Sequence, residues 1–127
     1  MIARARADKP QKDSEDGARR ELARGPLELA ILSVLAAAPR YGYELMSLLK
    51  TSTDGALELK EGTLYPVLHR LEDGGFVTTF WEAEGRAQPR KYYTVTPSGR
   101  TRAQELRTEW DRVVDGMTRL LDGGTTA

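Results

Sequence analysis

The stretch EGTLYPVLHRLEDGGFV, residues 61–77, decides the fold. Leu64, Val67, Leu68 and Leu71 stand at i, i+3, i+4 and i+7, the spacing that lines one face of an α-helix. The pattern predicts a helix with Thr63 as N-cap, because a hydroxyl there accepts from an unpaired N–H of the first turn. Pro66 then falls in the first turn, where its missing N–H breaks no hydrogen bond. Gly74-Gly75 ends the helix, one of the two being suited to the left-handed position beyond the last turn. With the leucines turned inward, Thr63, Tyr65, His69, Arg70 and Glu72 project from the other sides as a hydrogen-bonding surface. Such a surface near a helix N-terminus suits base edges and phosphates in a major groove, and an ordinary solvated face is the other reading.

Upstream, Gly25-Pro26 opens a helix in which Leu27, Ile31, Leu32, Val34 and Leu35 leave little polar surface, so it is expected at the centre of the core. Pro39 stops it, and Tyr43, Leu45, Met46, Leu48 and Leu49 predict a second, short helix. Asp54-Gly55 is a turn signal, and Leu57 and Leu59 alternating with Glu58 and Lys60 predict a short strand. Downstream, Phe76 to Trp81 and Tyr92 to Thr96 are rich in β-branched and aromatic residues and predict a hairpin with a long polar tip from Glu82 to Lys91. Thr96-Pro97 opens a long helix to about Leu121. The expected order is helix, helix, strand, helix, strand, strand, helix. Three helices followed by a two-stranded ribbon make a mainly helical α+β chain, a winged helix-turn-helix with a long C-terminal dimerisation helix.

The whole chain has 127 residues, room for one domain, with 39% hydrophobic and 30% charged residues. Residues 1–24 are polar and are expected to be a solvated tail, or an arm reaching phosphates through Arg4, Arg6, Lys9 or Lys12. Residues 25–96 are assigned to the winged domain, 97–121 to the dimerisation helix and 122–127 to a frayed end. Nineteen Lys and Arg balance nineteen Asp and Glu, so any attraction to nucleic acid has to come from local clustering. With no cysteine and only His69 as histidine, thiolate chemistry and a structural zinc site are excluded, and no metal or cofactor is expected. A lone imidazole without a placed acid does not make a catalytic pair, and no phosphate-cradling loop or nucleophile elbow is present, so an enzyme is not expected. The longest apolar stretch, 27–38, is too short for a bilayer and contains Glu28, which points to a soluble cytoplasmic protein with no membrane partner.

The hairpin tip contributes Arg86, Arg90 and Lys91, cations suited to phosphates or a minor groove. The last helix carries Ala103, Leu106, Trp110, Val113, Met117 and Leu120 at alternating steps of three and four, an a/d seam that calls for a partner helix and hence a homodimer. Trp110 in mid-seam is either plain packing or, where two copies face each other, a platform for a planar aromatic ligand.

The strings YGYELMSLL (41–49), EGTLYPVLHRLEDGGFV (61–77) and PRKYYTVTPSGR (89–100) resemble the PadR family of winged-helix transcriptional regulators over roughly residues 25–121. The resemblance is closest to the shorter subfamily with a single C-terminal helix. It implies a homodimeric repressor of double-stranded DNA that responds to phenolic or drug-like molecules. It also implies that Thr63, Tyr65 and His69 face the DNA, that Tyr41 and Tyr43 support or touch its backbone, and that Arg90 and Lys91 belong to the wing. Trp110 matches an aromatic that sandwiches planar ligands in multidrug-sensing relatives. Lys60 stands where many relatives carry a small hydroxyl residue, and it joins the DNA-facing set. The competing reading, favoured by the balanced charge, is a winged-helix module that binds protein without sequence-specific DNA contact.

Overall fold

The computed structural model describes residues 24–123, so the expectations for the N-terminal arm and the last residues lie outside the described residues. Helix α1 covers 24–37, followed by β1 (Arg40–Tyr41), α2 (Gly42–Ser52), α3 (Glu61–Asp73), β2 (Val77–Glu82), β3 (Arg90–Val95) and α4 (Pro97–Leu121). The three strands form an antiparallel sheet in the order β1-β3-β2. This is the winged helix-turn-helix that the apolar spacing implied, with the long last helix in place.

The core is built where the helical stripes meet. Ile31, Leu32 and Leu35 of α1, Leu45 and Leu49 of α2, and Leu64, Leu68 and Leu71 of α3 are almost wholly removed from solvent. Val77 and Tyr93 close the core from the sheet and Leu106 from α4. Glu28 is the buried charged residue of α1; its carboxylate lies 3.7 Å from Arg24 and 3.5 Å from Arg102, tying α1 to α4.

Four expectations change. No strand forms at residues 57–60, and the small first strand is Arg40–Tyr41 instead. Leu57 and Leu59 still alternate because both rest half-buried on the core, but no neighbouring strand is there to pair with them. Thr53 fixes that segment: its hydroxyl donates to the Leu49 carbonyl at 2.6 Å and accepts from the Leu57 N–H at 2.9 Å. Second, α3 starts two residues before Thr63, with Lys60 at the N-cap and no side-chain cap; the Lys60 carbonyl takes the N–H groups of Thr63 and Leu64, both at 3.0 Å. Pro66 therefore lies past the first turn, and its missing N–H leaves the Gly62 carbonyl without its helical donor.

Third, the hairpin tip is shorter than expected, since Glu82, Arg90 and Lys91 are in the ladder, with Glu82 opposite Arg90 and Trp81 opposite Lys91. Fourth, Ala103 and Leu106 pack against the chain's own core, so only the later part of the seam stays uncovered. The reason is that the core ends level with Leu106.

The glycine stop of α3 holds. Gly75 takes the left-handed conformation at φ 78°, Phe76 N–H donates back to the Leu71 carbonyl at 2.9 Å, and Gly75 N–H to that of Glu72 at 3.0 Å. The same turn anchors α4. Thr96 caps that helix by accepting from Gly99 N–H at 3.0 Å and donates to the Gly75 carbonyl at 2.7 Å, while Thr96 N–H donates to Phe76 at 3.0 Å.

Candidate nucleic-acid interface

Burial of Leu64, Val67, Leu68 and Leu71 forces the other side of α3 outward. Glu61, Gly62, Pro66, His69 and Arg70 are exposed and Thr63 is half-buried, which leaves an open face running from the helix N-terminus that carries Thr63, His69 and Arg70 around Gly62 and Pro66. Lys60 is exposed at that end, where the helix dipole favours an anion. Tyr65 has a packing role: its hydroxyl end lies where a Cβ on Gly42 would sit, so α2 and α3 approach closely because residue 42 is glycine. Tyr43, in the first turn of α2, is 70% exposed on the outside. Tyr41 directly precedes α2, with its N–H donating to Glu44 at 3.2 Å.

The wing loop, residues 83–89, is exposed throughout and is turned by Gly85 at φ 64° with Arg86 N–H donating to Ala83 at 2.8 Å. Of the three wing cations only Arg86 lies in this loop. Arg90 and Lys91 are successive residues of β3 and so face opposite sides of the sheet. The Arg90 guanidinium lies 4.3 Å from the centre of the Tyr41 ring, whereas the Lys91 ammonium lies 5.4 Å from that of Tyr93. Tyr93 is on the side facing α3. Burial pushes its phenol above the ordinary value of 10.0, and Tyr65 and Glu72 of α3 push in the same direction. Lys91 thus belongs to the surface shared by wing and α3, and Arg90 to the outer surface.

Trp81, not among the residues expected to meet DNA, is 65% exposed and directly opposite Lys91. Its signal was the period of two from Val77 through Thr79, which places Trp81 on the side of Lys91 and Tyr93 but beyond the edge of the core. On the other side, Phe80 stacks on Tyr92 at 5.4 Å and Tyr92 meets Tyr41 edge-on at 5.5 Å.

Away from this surface, Trp110, Val113, Met117 and Leu120 of α4 are between 45% and 54% exposed. Trp110 also lines a groove of about 400 Å³ between α1 and α4, with Pro26, Leu29, Arg102, Leu106 and Val113. Among the described residues no helix is long and apolar enough to cross a membrane, and no group of His, Asp and Glu could hold a metal ion.

The family model described as "Transcriptional regulator PadR-like family" matches residues 31–105, from the centre of α1 to the last turn of α4 before Leu106. The chain belongs to this family. PadR-like proteins are transcriptional regulators that bind DNA, and not enzymes. The chain is 31% identical over 105 residues to an uncharacterised protein of Lysinibacillus sphaericus, covering 83% of this chain and 96% of that one. It is 34% identical over 84 residues to the negative transcriptional regulator PadR of Bacillus subtilis, covering 66% of this chain but only 44% of the relative. Among solved structures, a transcriptional regulator from Clostridium thermocellum superposes with a TM-score of 0.69 at 29% identity, covering 84% of this chain and 99% of that one. A PadR-like transcription factor from Bacteroides fragilis gives 0.68 at 29% identity, with 82% and 98% covered. The PadR match ends just where the apolar stripe of α4 emerges into solvent.

Proposed function

We propose that this PadR-like chain is a repressor that works as a homodimer on a pseudo-palindromic operator and is released by a planar aromatic effector. The observation that carries the dimer is α4 after Leu106, where every residue from 107 to 121 is exposed although Trp110, Val113, Met117 and Leu120 form an apolar stripe. A second copy packed antiparallel on that stripe fixes two α3 helices for half-sites about one turn, ~34 Å, apart. Thr63, His69 and Arg70 then read base edges, Lys60 meets a phosphate at the N-terminus of α3, and Tyr43, Arg86 and Lys91 engage the backbone on either side. Tyr65 supports the contact from behind by setting the α2–α3 distance. The effector takes the groove beside Trp110, whose volume of about 400 Å³ lies within the range of small-molecule sites. Occupied grooves at the dimer centre change the separation of the two α3 helices and so the fit to the operator.

The test is binding to a duplex carrying the upstream region of the chain's own gene against a random duplex, at several salt concentrations. A salt-sensitive complex beyond that of random DNA is expected, weakened by planar aromatics that quench Trp110 emission in protein carrying Trp81→Phe. Equal binding to both duplexes, with co-purification of a protein partner, replaces this reading with that of a protein-interaction module.

A further inference from the structure

The outer face of the sheet carries a row of rings. Tyr41 of β1 stands opposite Tyr92 of β3, and Tyr92 opposite Phe80 of β2, so one register position places an aromatic on all three strands. The rings touch, edge-on between Tyr41 and Tyr92 and face to face between Tyr92 and Phe80, with 8° between the latter planes. Two residues before Tyr92 on the same side of β3 stands Arg90. At its level β1 has already ended, because the chain turns into α2 after Tyr41. The ladder that holds β3 to β1 therefore stops where the wing begins. The Arg90 guanidinium fills this place, 4.3 Å from the centre of the Tyr41 ring.

Tyr41 is the joint between two parts of the proposed DNA-binding surface. It is the last residue before α2, and its N–H is held by Glu44 in that helix's first turn. A side chain stacked on it from β3 ties the wing to the start of the helix-turn-helix. We propose that Arg90 is a positioning residue: stacked on Tyr41, it braces the wing at a fixed angle to α3, and the charge that the wing offers to phosphate comes from Lys91 and Arg86. The inference rests on the DNA-binding reading, and it divides two adjacent cations between two tasks.

A brace and a phosphate contact differ in salt dependence. Each phosphate neutralised contributes about 0.9 to the slope of log affinity against log salt. On the duplex named above, Lys91→Ala is expected to lower that slope by about 0.9. Arg90→Ala is expected to weaken binding roughly five-fold, the scale of one lost cation–π contact, with the slope unchanged. Tyr41→Leu should give the same loss, Tyr41→Phe should restore the wild-type value because it keeps the ring, and the Arg90→Ala/Tyr41→Leu double variant should be no weaker than either single one. In DNA-free protein both single variants should speed amide hydrogen exchange in residues 83–95 while that of α3 stays as it was.

A slope that falls with Arg90→Ala, or losses that add in the double variant, would make Arg90 a phosphate contact and overturn the proposal. So would a Tyr41→Phe variant as weak as Tyr41→Leu. If wild-type protein shows no salt-sensitive DNA binding, the underlying reading has failed, and the exchange rates of the wing still decide the brace.

Discussion

The two halves of α4 have the same apolar spacing and opposite surroundings. From Pro97 to Leu106 the helix is fastened: Thr96 caps it, Gly99 lies against the Phe76 carbonyl, Ala103 rests on the core and Leu106 is buried in it. From 107 to 121 every residue is exposed, while Trp110, Val113, Met117 and Leu120 continue the stripe. At ~1.5 Å per residue this projecting half is roughly 20 Å long. A free helix of that length is marginal in water, and the Arg107–Asp111 pair at 3.3 Å adds only about 0.3–0.5 kcal/mol. Periodicity thus states that a helix has a face to cover, and the packing of the protomer states how much of that face it covers itself.

The largest effect should come from charging the uncovered half. The double variant Val113→Asp/Met117→Asp places carboxylates in the stripe while leaving the protomer core untouched, since neither residue touches it. On the proposed dimer, sedimentation should show the mass halved, and operator affinity should fall more than about ten-fold because the two half-sites would no longer be bound by linked copies. A variant that keeps the mass of the wild type would overturn the proposed dimer through this stripe.

Leu106→Ala acts on the fastened half. It removes a side chain buried in the core, at its edge, so the expected loss is about 2–3 kcal/mol, the lower part of the range for Leu→Ala. Denaturant melts should show this loss with the oligomeric mass retained. A loss seen only at low protein concentration would mean that Leu106 belongs to the subunit interface and not to the protomer.

Much of this arrangement was legible from residue spacing. The stripe Leu64-Val67-Leu68-Leu71 located α3 and its outward face, Gly74-Gly75 gave its end, and Thr96-Pro97 the start of α4. What misled was local chemistry read without its neighbours. Thr63 is a good N-cap type, but the chain before it is already helical because the Lys60 carbonyl collects two N–H groups. Leu57 and Leu59 alternate like a strand because both touch the core, and alternation is silent on whether a neighbour exists to accept hydrogen bonds. At the interface, the cations were found by composition, but their division was not, because which side of a strand a residue faces depends on where the strand begins. Arg90 and Lys91 looked like one cluster in a loop and are two surfaces of a strand. The exposure of Trp81 beside Lys91 likewise depends on the register, and Tyr65, expected to face DNA, also packs its hydroxyl end against Gly42.

Two glycines of α4, one in each half, have effects of opposite sign, and the smallest effect is that of the second. A Cβ on Gly99 would run into the Phe76 carbonyl and the Val95 side chain, and the carbonyl belongs to a turn already fixed by hydrogen bonds to Thr96. Gly99→Ala should therefore cost about 1–3 kcal/mol, as overpacking does. A Cβ on Gly116 meets nothing within 4 Å, and alanine is the better helix former by about 1 kcal/mol. Gly116→Ala should then raise the melting temperature slightly and make the projecting half more helical by circular dichroism. The sign of this second change also reports on the partner. Gly116 borders the stripe one turn from Met117's neighbours Val113 and Leu120, so if the second copy approaches α4 on that side closely enough to need a glycine, the alanine variant loses stability and dimer affinity together. A gain places the line of closest approach on the Trp110 side of the stripe, next to the groove proposed for the effector.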